Sequence, residues 1–488
     1  MEMKPPLLPL GSRVHRSVTV WEAITSPQDR FNLPARTEDL LLSACEVIPG
    51  GVNSSLRNIQ PHIIPVKASG AYIYDAEGKS YIDYNAAFGP PILGRAHPLV
   101  NSRVAEAITE FDNVGVGVST TEIALARKLV RHFPSINKVL LCNSGSEATY
   151  HALRLSRAVT HREKIIKFQG CYHGFHDSVA TNVITAESKL GSLAPLSAGS
   201  SNDTLQKTIV CDFNDLEGVE AAIQANLGEI AAIILEPIPH NIGCVLPRLG
   251  FLEGLRKLAT EHEIILIFDE IITGFRHGLG GYQAICGVLP DLTTLGKAMA
   301  NGFPIAAVGG RGDLMDRFNT RTGGDVFFAG TFNGHPVGCA AALATIEILE
   351  DPATYQRLFG LGDMMRDGLR NVMERHDVRF TEAGFGSVFL TYFMDGPIYS
   401  YRDLLRNNAD LFVEYRRRLV EKGIFKLPMN LKRNHISLSH TPEDIARTLQ
   451  ACDDTIAEMK KTSHPSLFQE PKATSYLVNK SSAPSAGS

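Results

Sequence analysis

Two short apolar runs with an amphipathic segment between them constrain this chain most. Ala231-Ala232-Ile233-Ile234-Leu235 ends in Glu236-Pro237, and Ile264-Ile265-Leu266-Ile267-Phe268 ends in Asp269-Glu270. Between them Phe251, Leu252, Leu255, Leu258 and Ala259 recur at helical spacing as far as His262. Each run is too short for a helix and apolar at every position, so it reads as a strand buried on both faces. Strand, helix, strand is a βαβ unit, which requires a parallel sheet. In such a sheet ligands sit beyond the carboxyl ends of the strands. Past Asp269 the chain runs through Ile271 and a glycine-rich passage to Asp291-Leu292-Thr293-Thr294-Leu295-Gly296-Lys297. Asp269 and Lys297 are therefore candidates to face one ligand. A strand-end acid capping a helix, plus a surface lysine, accounts for the same residues equally well.

Further strands end in chemically suggestive turns. Val139-Leu140-Leu141-Cys142 runs into Asn143-Ser144-Gly145-Ser146-Glu147 and then a helical pattern through Val159. Ser144 suits the N-cap, while Gly145 and Ser146 leave backbone N–H groups outward, a cup for phosphate at a helix N-terminus. A plain N-cap needs only one of these residues. Lys164-Ile165-Ile166-Lys167-Phe168 ends in Gly170-Cys171-Tyr172-His173-Gly174, and Ile305 to Gly310 supplies another short strand. Upstream, residues 71–84 read as a hairpin around an Asp-x-x-Gly turn, with helices expected near 99–110 and 121–133. From about residue 345 the texture changes to long charged helices and short strands, 388–393 the clearest.

These readings divide the chain into an N-terminal arm over 1–36, an N-terminal segment of a small domain over 37–85 and a large domain over 86–345. A C-terminal small domain over 346–462 and a Ser/Pro/Lys-rich tail over 463–488, expected to be disordered, complete it. At 488 residues, 44% hydrophobic and 20% charged, the chain has the make-up of a soluble globular protein with more than one domain. A net charge of −4 gives no pull toward nucleic acid or an anionic membrane. No apolar run is long enough to span a bilayer, and the proline-bearing N-terminus makes a poor signal peptide. Eight scattered cysteines without a Cys-x-x-Cys pair fit reduced thiols in the cytoplasm better than disulfides or zinc.

One cofactor would use the cup, Tyr172-His173, Asp269 and Lys297 together. Pyridoxal 5'-phosphate carries a phosphate, a flat ring, a ring nitrogen that wants an acid partner and an aldehyde that a lysine captures. Asp269 would hold the ring nitrogen protonated, and Lys297 would carry the proton between the substrate carbon and the cofactor.

On Gly50-Gly51-Val52-Asn53-Ser54, Tyr81-Ile82-Asp83-Tyr84, Asn143 to Ala148, Phe168 to Gly174, Phe268-Asp269-Glu270, Asp291 to Lys297 and Gly330-Thr331-Phe332, the chain resembles the class III, fold type I pyridoxal-phosphate aminotransferases. Within them it is most similar to glutamate-1-semialdehyde 2,1-aminomutases, over roughly residues 38–460. The resemblance implies an α/β fold: a large domain on a mostly parallel sheet and a smaller α+β domain formed by the N- and C-terminal segments. It implies that Lys297 captures the cofactor, Asp269 pairs with its ring nitrogen, and Tyr172 and Ile271 cover its two faces. Ser144, Gly145 and Ser146 then serve the phosphate, and Asn241 lies beside the ring hydroxyl. Thr331 reaches the phosphate in a neighbouring subunit, which implies a homodimer with shared active sites. Arg57 matches an arginine that holds a substrate carboxylate.

Two departures bear on the substrate. Ala86-Ala87-Phe88 replaces the aminomutases' Gly-Ser-Trp, and Leu431-Lys432-Arg433-Asn434-His435 replaces Phe-Glu-Ala-Gly-Phe, putting Lys432 in place of a glutamate. A mutase must retain its intermediate in a closely matched pocket, whereas an aminotransferase lets the keto product leave. The departures favour transamination between an amino acid, β-amino acid or amine and a keto acid or aldehyde. The aminomutase reaction and a catalytically inactive relative are the alternatives, with Arg57, Phe88 and Lys432 as substrate residues. His173, His176 and Asp177 could be read as metal ligands, but Tyr-His-Gly belongs to the family motif, and no metal is expected. Arg416-Arg417-Arg418 and Lys432-Arg433 are expected on a solvated face rather than a nucleic-acid site.

Overall fold

The computed structural model describes residues 36–462. The expected arm, apart from Arg36, and the expected disordered tail lie outside the described residues. After the helix Thr37–Val47 comes an antiparallel meander, β1 (Pro65–Ser69), β2 (Tyr72–Asp75) and β3 (Ser80–Asp83), whose β2–β3 turn lies at Gly78 (φ 82°) as the Asp-x-x-Gly motif predicts. The central sheet follows: β4 (Lys138–Cys142), β5 (Lys164–Phe168), β6 (Thr208–Cys211), β7 (Ile230–Leu235), β8 (Ile265–Asp269), β9 (Leu292–Leu295) and β10 (Ala306–Gly310). Its order is β4-β10-β9-β8-β7-β5-β6, with β8 in the middle. Every pairing is parallel except those of β10, which runs antiparallel to both β4 and β9.

The apolar runs behave as the physics of a doubly covered sheet requires. All positions of β7 and β8 are buried, between helices that include Gly145–Thr160 and Phe251–Glu261. Each such Ile or Leu contributes roughly 1.5–3 kcal/mol through burial. The helix Phe251–Glu261 buries Phe251, Leu252, Leu255, Leu258 and Ala259, the stripe seen in the sequence. The helix Thr120–His132 opens with a reciprocal capping box between Ser119 and Glu122.

The remaining strands are β11 (Thr381–Phe385), β12 (Val388–Tyr392), β13 (Ile424–Phe425) and β14 (Asn434–His435). β11, β12 and β14 form a separate antiparallel sheet, while β13 joins the N-terminal meander, pairing in parallel with β3. Segments far apart in sequence thus meet in one sheet.

The basic runs of the C-terminal segment correct an expectation. Lys432 and Arg433 are buried rather than solvated, and so is Arg416, whose guanidinium lies over the Phe412 ring and donates to the Leu427 carbonyl. Among those basic residues Arg417 is exposed. Lys432 and Arg433 go inside because backbone carbonyls of neighbouring loops receive their N–H groups.

Candidate active site

The carboxyl ends of β4, β5, β7, β8 and β9 open onto one cleft of about 330 Å³. Asn143 to Ser146 come from the end of β4, Tyr172 and His173 from β5, Glu236 from β7, Asp269 from β8 and Lys297 from just past β9. The parallel direction of these five strands brings their terminal residues to one place, as expected for a doubly wound sheet.

At the β4 end, Ser144 caps the helix Gly145–Thr160 by accepting from the Glu147 N–H at 3.3 Å. The first turn of that helix lines the cleft, so its free N–H groups and dipole favour an anion there. The backbone needs glycine at two points around this cup. A Cβ on Gly145 would stand 3.0 Å from Ile271 Cδ1, and one on Gly174 (φ 113°) would stand 2.6 Å from Ser146 Oγ.

Asp269 is buried and held from three directions. Its Oδ2 pairs with His173 Nδ1 at 2.7 Å, while Oδ1 accepts from the Ile271 N–H and the Thr294 hydroxyl, each at 3.1 Å. The neighbouring Glu270 turns away from the cleft. It accepts from the Thr273 hydroxyl, the Tyr282 and Gln283 N–H groups and the Gln283 amide, and burial raises its pKa. So the two adjacent acids divide the two readings of the sequence: Glu270 braces the chain, and Asp269 faces the cleft.

Lys297 sits at φ 44° at the start of a 3₁₀ turn, its pKa lowered to about 7 by burial and then by the nearby Arg433 charge. Opposite it, Glu236 Oε1 accepts from the Tyr172 N–H (2.9 Å) and the Asn241 side-chain amide (3.0 Å), and Oε2 accepts from the His240 N–H. Tyr172 keeps its ring partly exposed to the cleft. Lys432 Nζ donates to the Asn241 carbonyl at 3.3 Å, and burial with the Arg433 charge lowers its pKa to about 8.

Ser144, Gly145, Ser146, Tyr172, Asn241, Asp269, Ile271 and Lys297 all line this one cleft. Lys432 reaches it indirectly, through Asn241. Three expected residues stand elsewhere. Arg57 is exposed in the 3₁₀ turn Ser55–Arg57, Phe88 packs against the apolar cluster of Tyr81, Phe425 and Leu427, and Thr331 lies on an exposed loop with its carbonyl held by Asn113. Sequence reasoning passed over Glu236, although it ends a buried strand just as Asp269 does. It also gave His173 no definite partner. His173 and His176 each have one within the protein, Asp269 for the first and the Thr149 hydroxyl for the second.

A cup that excludes side chains, a buried acid and a buried, weakly basic lysine fit a phosphorylated pyridine aldehyde. The sequence profile of the family described as aminotransferase class-III matches residues 54–391. The chain belongs to the class-III aminotransferases. It is 42% identical over 424 residues to the glutamate-1-semialdehyde 2,1-aminomutase of Desulforudis audaxviator, covering 86% of this chain and 97% of the relative. The protein of the same description from Methanocaldococcus jannaschii is 40% identical, with 86% and 97% covered. Among solved structures, an omega-transaminase from Sphaerobacter thermophilus superposes with a TM-score of 0.81 at 30% identity, covering 87% of this chain and 98% of its own. A β-phenylalanine aminotransferase from Variovorax paradoxus gives 0.79 at 28%, covering 89% and 96%. As a class-III aminotransferase this chain is an enzyme of the pyridoxal-phosphate-dependent, fold type I group, with the mostly parallel sheet described above.

Proposed function

We propose that this class-III aminotransferase moves an amino group from a carboxylate-bearing amino or β-amino acid to a keto acid or aldehyde in a ping-pong cycle. The observation that carries this reading is Lys432, a buried ammonium held on Asn241 beside the cleft, where the resemblance places a glutamate. A cation there suits an anionic substrate group.

Bound pyridoxal phosphate supplies an aldehyde for amines and a ring that draws electrons from the carbon bearing the amine. The helix N-terminus at Gly145 and Ser146 holds the phosphate, with Ser144 fixing that turn. Tyr172 and Ile271 would flank the ring, and Asn241, kept in place by Glu236, would border its hydroxyl edge. Asp269 would face the ring nitrogen, and His173 holds its carboxylate in place. Lys297, whose pKa burial lowers to about 7, would take a proton at Nζ from the substrate carbon and return it to the neighbouring position. Lys432, held beside the cleft, would receive a substrate carboxylate; Arg57 and Phe88, which do not line the cleft of the single chain, are proposed for the same substrate end.

Two further parts of the reading concern assembly and place. Thr331 stands on the surface with exposed Val114, Val116, Val118 and Phe332, an apolar area suited to a second copy, so the enzyme is a homodimer whose clefts Thr331 completes in trans. A monomer by light scattering at assay concentration would sink that part. All eight cysteines are free, which suits the cytoplasm, and among the described residues no helix is long and apolar enough to cross a membrane.

The deciding experiment mixes holoenzyme with single amino acids and no acceptor. Release of the keto acid with loss of the cofactor's aldehyde absorbance supports transamination; isomerised product alone rejects it. The intramolecular aminomutase reaction is the second reading, favoured by 42% identity over nearly the full length of a relative of that description.

A further inference from the structure

Arg433 is a buried guanidinium, and among the described residues no carboxylate forms an ion pair with it. Such a charge is costly to bury unless its donors are used, and each of its three nitrogens has a task. Nη1 donates to the His240 carbonyl at 2.8 Å, Nη2 to the Phe88 carbonyl at 2.9 Å and Nε to His435 Nε2 at 3.1 Å. The two carbonyls belong to different walls. His240 lies in the turn from Glu236 to Asn241, both of which line the cleft. Phe88 lies in the turn that leads to Pro90, which lines it too.

That second turn is strained. Ala86, Ala87 and Phe88 hold φ values of 46°, 47° and 69°, a left-handed run without glycine, before Gly89 at 120°. Arg276 donates to the Gly89 carbonyl at 2.5 Å, so two guanidiniums grip adjacent carbonyls of one strained turn. Gly89 also admits His435, whose Nε2 would stand 3.2 Å from a Cβ there. Arg433 further follows Lys432 directly in the chain, so its anchorage fixes where that ammonium meets Asn241.

We infer that Arg433 is a positioning residue for the substrate end of the cleft, tying the Ala86–Gly89 turn to the Glu236–Asn241 turn. A planar fork reaches two carbonyls on separate segments with separate nitrogens, whereas a lysine must bring both carbonyls to its single nitrogen. Arg433 therefore governs, through Lys432 and the Phe88 turn, how the carboxylate end of a substrate is received, while the phosphate and the ring nitrogen are left to other residues. The inference rests on the proposed carboxylate substrate for its binding readout, but its exchange readout is independent of that reading.

The test compares holoenzyme with Arg433→Lys and Arg433→Gln. Two reagents capture the cofactor aldehyde: aminooxyacetate, which carries a carboxylate, and methoxyamine, which does not. The half-saturating concentration of aminooxyacetate is expected to rise roughly tenfold or more in both variants, with methoxyamine changed less than about twofold. Amide hydrogen exchange of a peptide spanning 86–90 is expected to quicken, while that of 265–269 stays as in the parent. If exchange quickens but the two reagents respond alike, the carboxylate reading fails and the clamp stands. Unchanged exchange at 86–90 overturns the clamp itself. If neither variant folds and keeps cofactor, Arg433 serves fold stability and the inference is rejected.

Discussion

Replacing Lys297 with methionine should stabilise the cofactor-free enzyme, and by an amount that depends on pH in a defined way. The lysine has an ordinary pKa near 10.5 and one of about 7 in the fold, mainly because it is buried. Between those values the unfolded chain carries a proton that the folded chain lacks, so stability rises with pH through that window. Below about pH 7 the penalty is complete, because the amine is then charged in both states and buried in one. One proton is worth about 1.4 kcal/mol per pH unit, so the full penalty is about 5 kcal/mol near pH 7. Lys297→Met, an apolar chain of similar volume, removes it. Denaturant unfolding of both apo proteins at about pH 7, 8 and 9 measures the gap, other titrating groups being common to both. The variant should be more stable at pH 7, and the gap should shrink by about 1.4 kcal/mol for each pH unit. A gap that stays constant would refute the buried, neutral amine on which capture of an aldehyde at neutral pH depends.

Three other perturbations test the rest of the cleft. Asp269→Asn keeps the shape but removes the charge proposed to face the ring nitrogen, and turnover should fall on the order of a thousandfold; near-normal activity defeats the assignment. Gly145→Ala drives a methyl to 3.0 Å from Ile271 Cδ1, and cofactor affinity should weaken by about tenfold in an absorbance titration. With Glu236→Gln an amide donor meets N–H groups that Glu236 now accepts from Tyr172, Asn241 and His240. Stability should drop by about 1–3 kcal/mol, with faster cofactor loss on dilution; an unaltered melting curve would show that this carboxylate braces nothing.

Local patterns made much of this legible before any coordinates. β7, β8 and the helix between them announce themselves through runs and spacing that depend only on neighbouring residues. Asp269 and Lys297 could be placed because strand direction sends both to one edge. What escaped depends on distant partners. The antiparallel course of β10 is set by pairing with β4 and β9 on either side, and nothing within Ala306–Gly310 encodes it. Lys432 and Arg433 look solvated in one dimension, since the carbonyls of Asn241, His240 and Phe88 that admit them come from remote segments. Glu236 and Glu270 resemble Asp269 in the sequence, and only the loops that donate to them reveal their work.

The parallel pairing of β3 with β13 has a consequence for synthesis. Ile82 and Tyr84 give their N–H groups to the carbonyls of Gly423 and Phe425. A ribosome delivers the meander long before those acceptors exist. Throughout that interval β3 presents an open edge, the kind of surface on which other nascent chains can template themselves. Stopping translation anywhere between Gly310 and Gly423 would therefore leave a protein with its central sheet encoded and its first sheet unclosed. Such fragments should depend on chaperones to a degree that the finished enzyme does not.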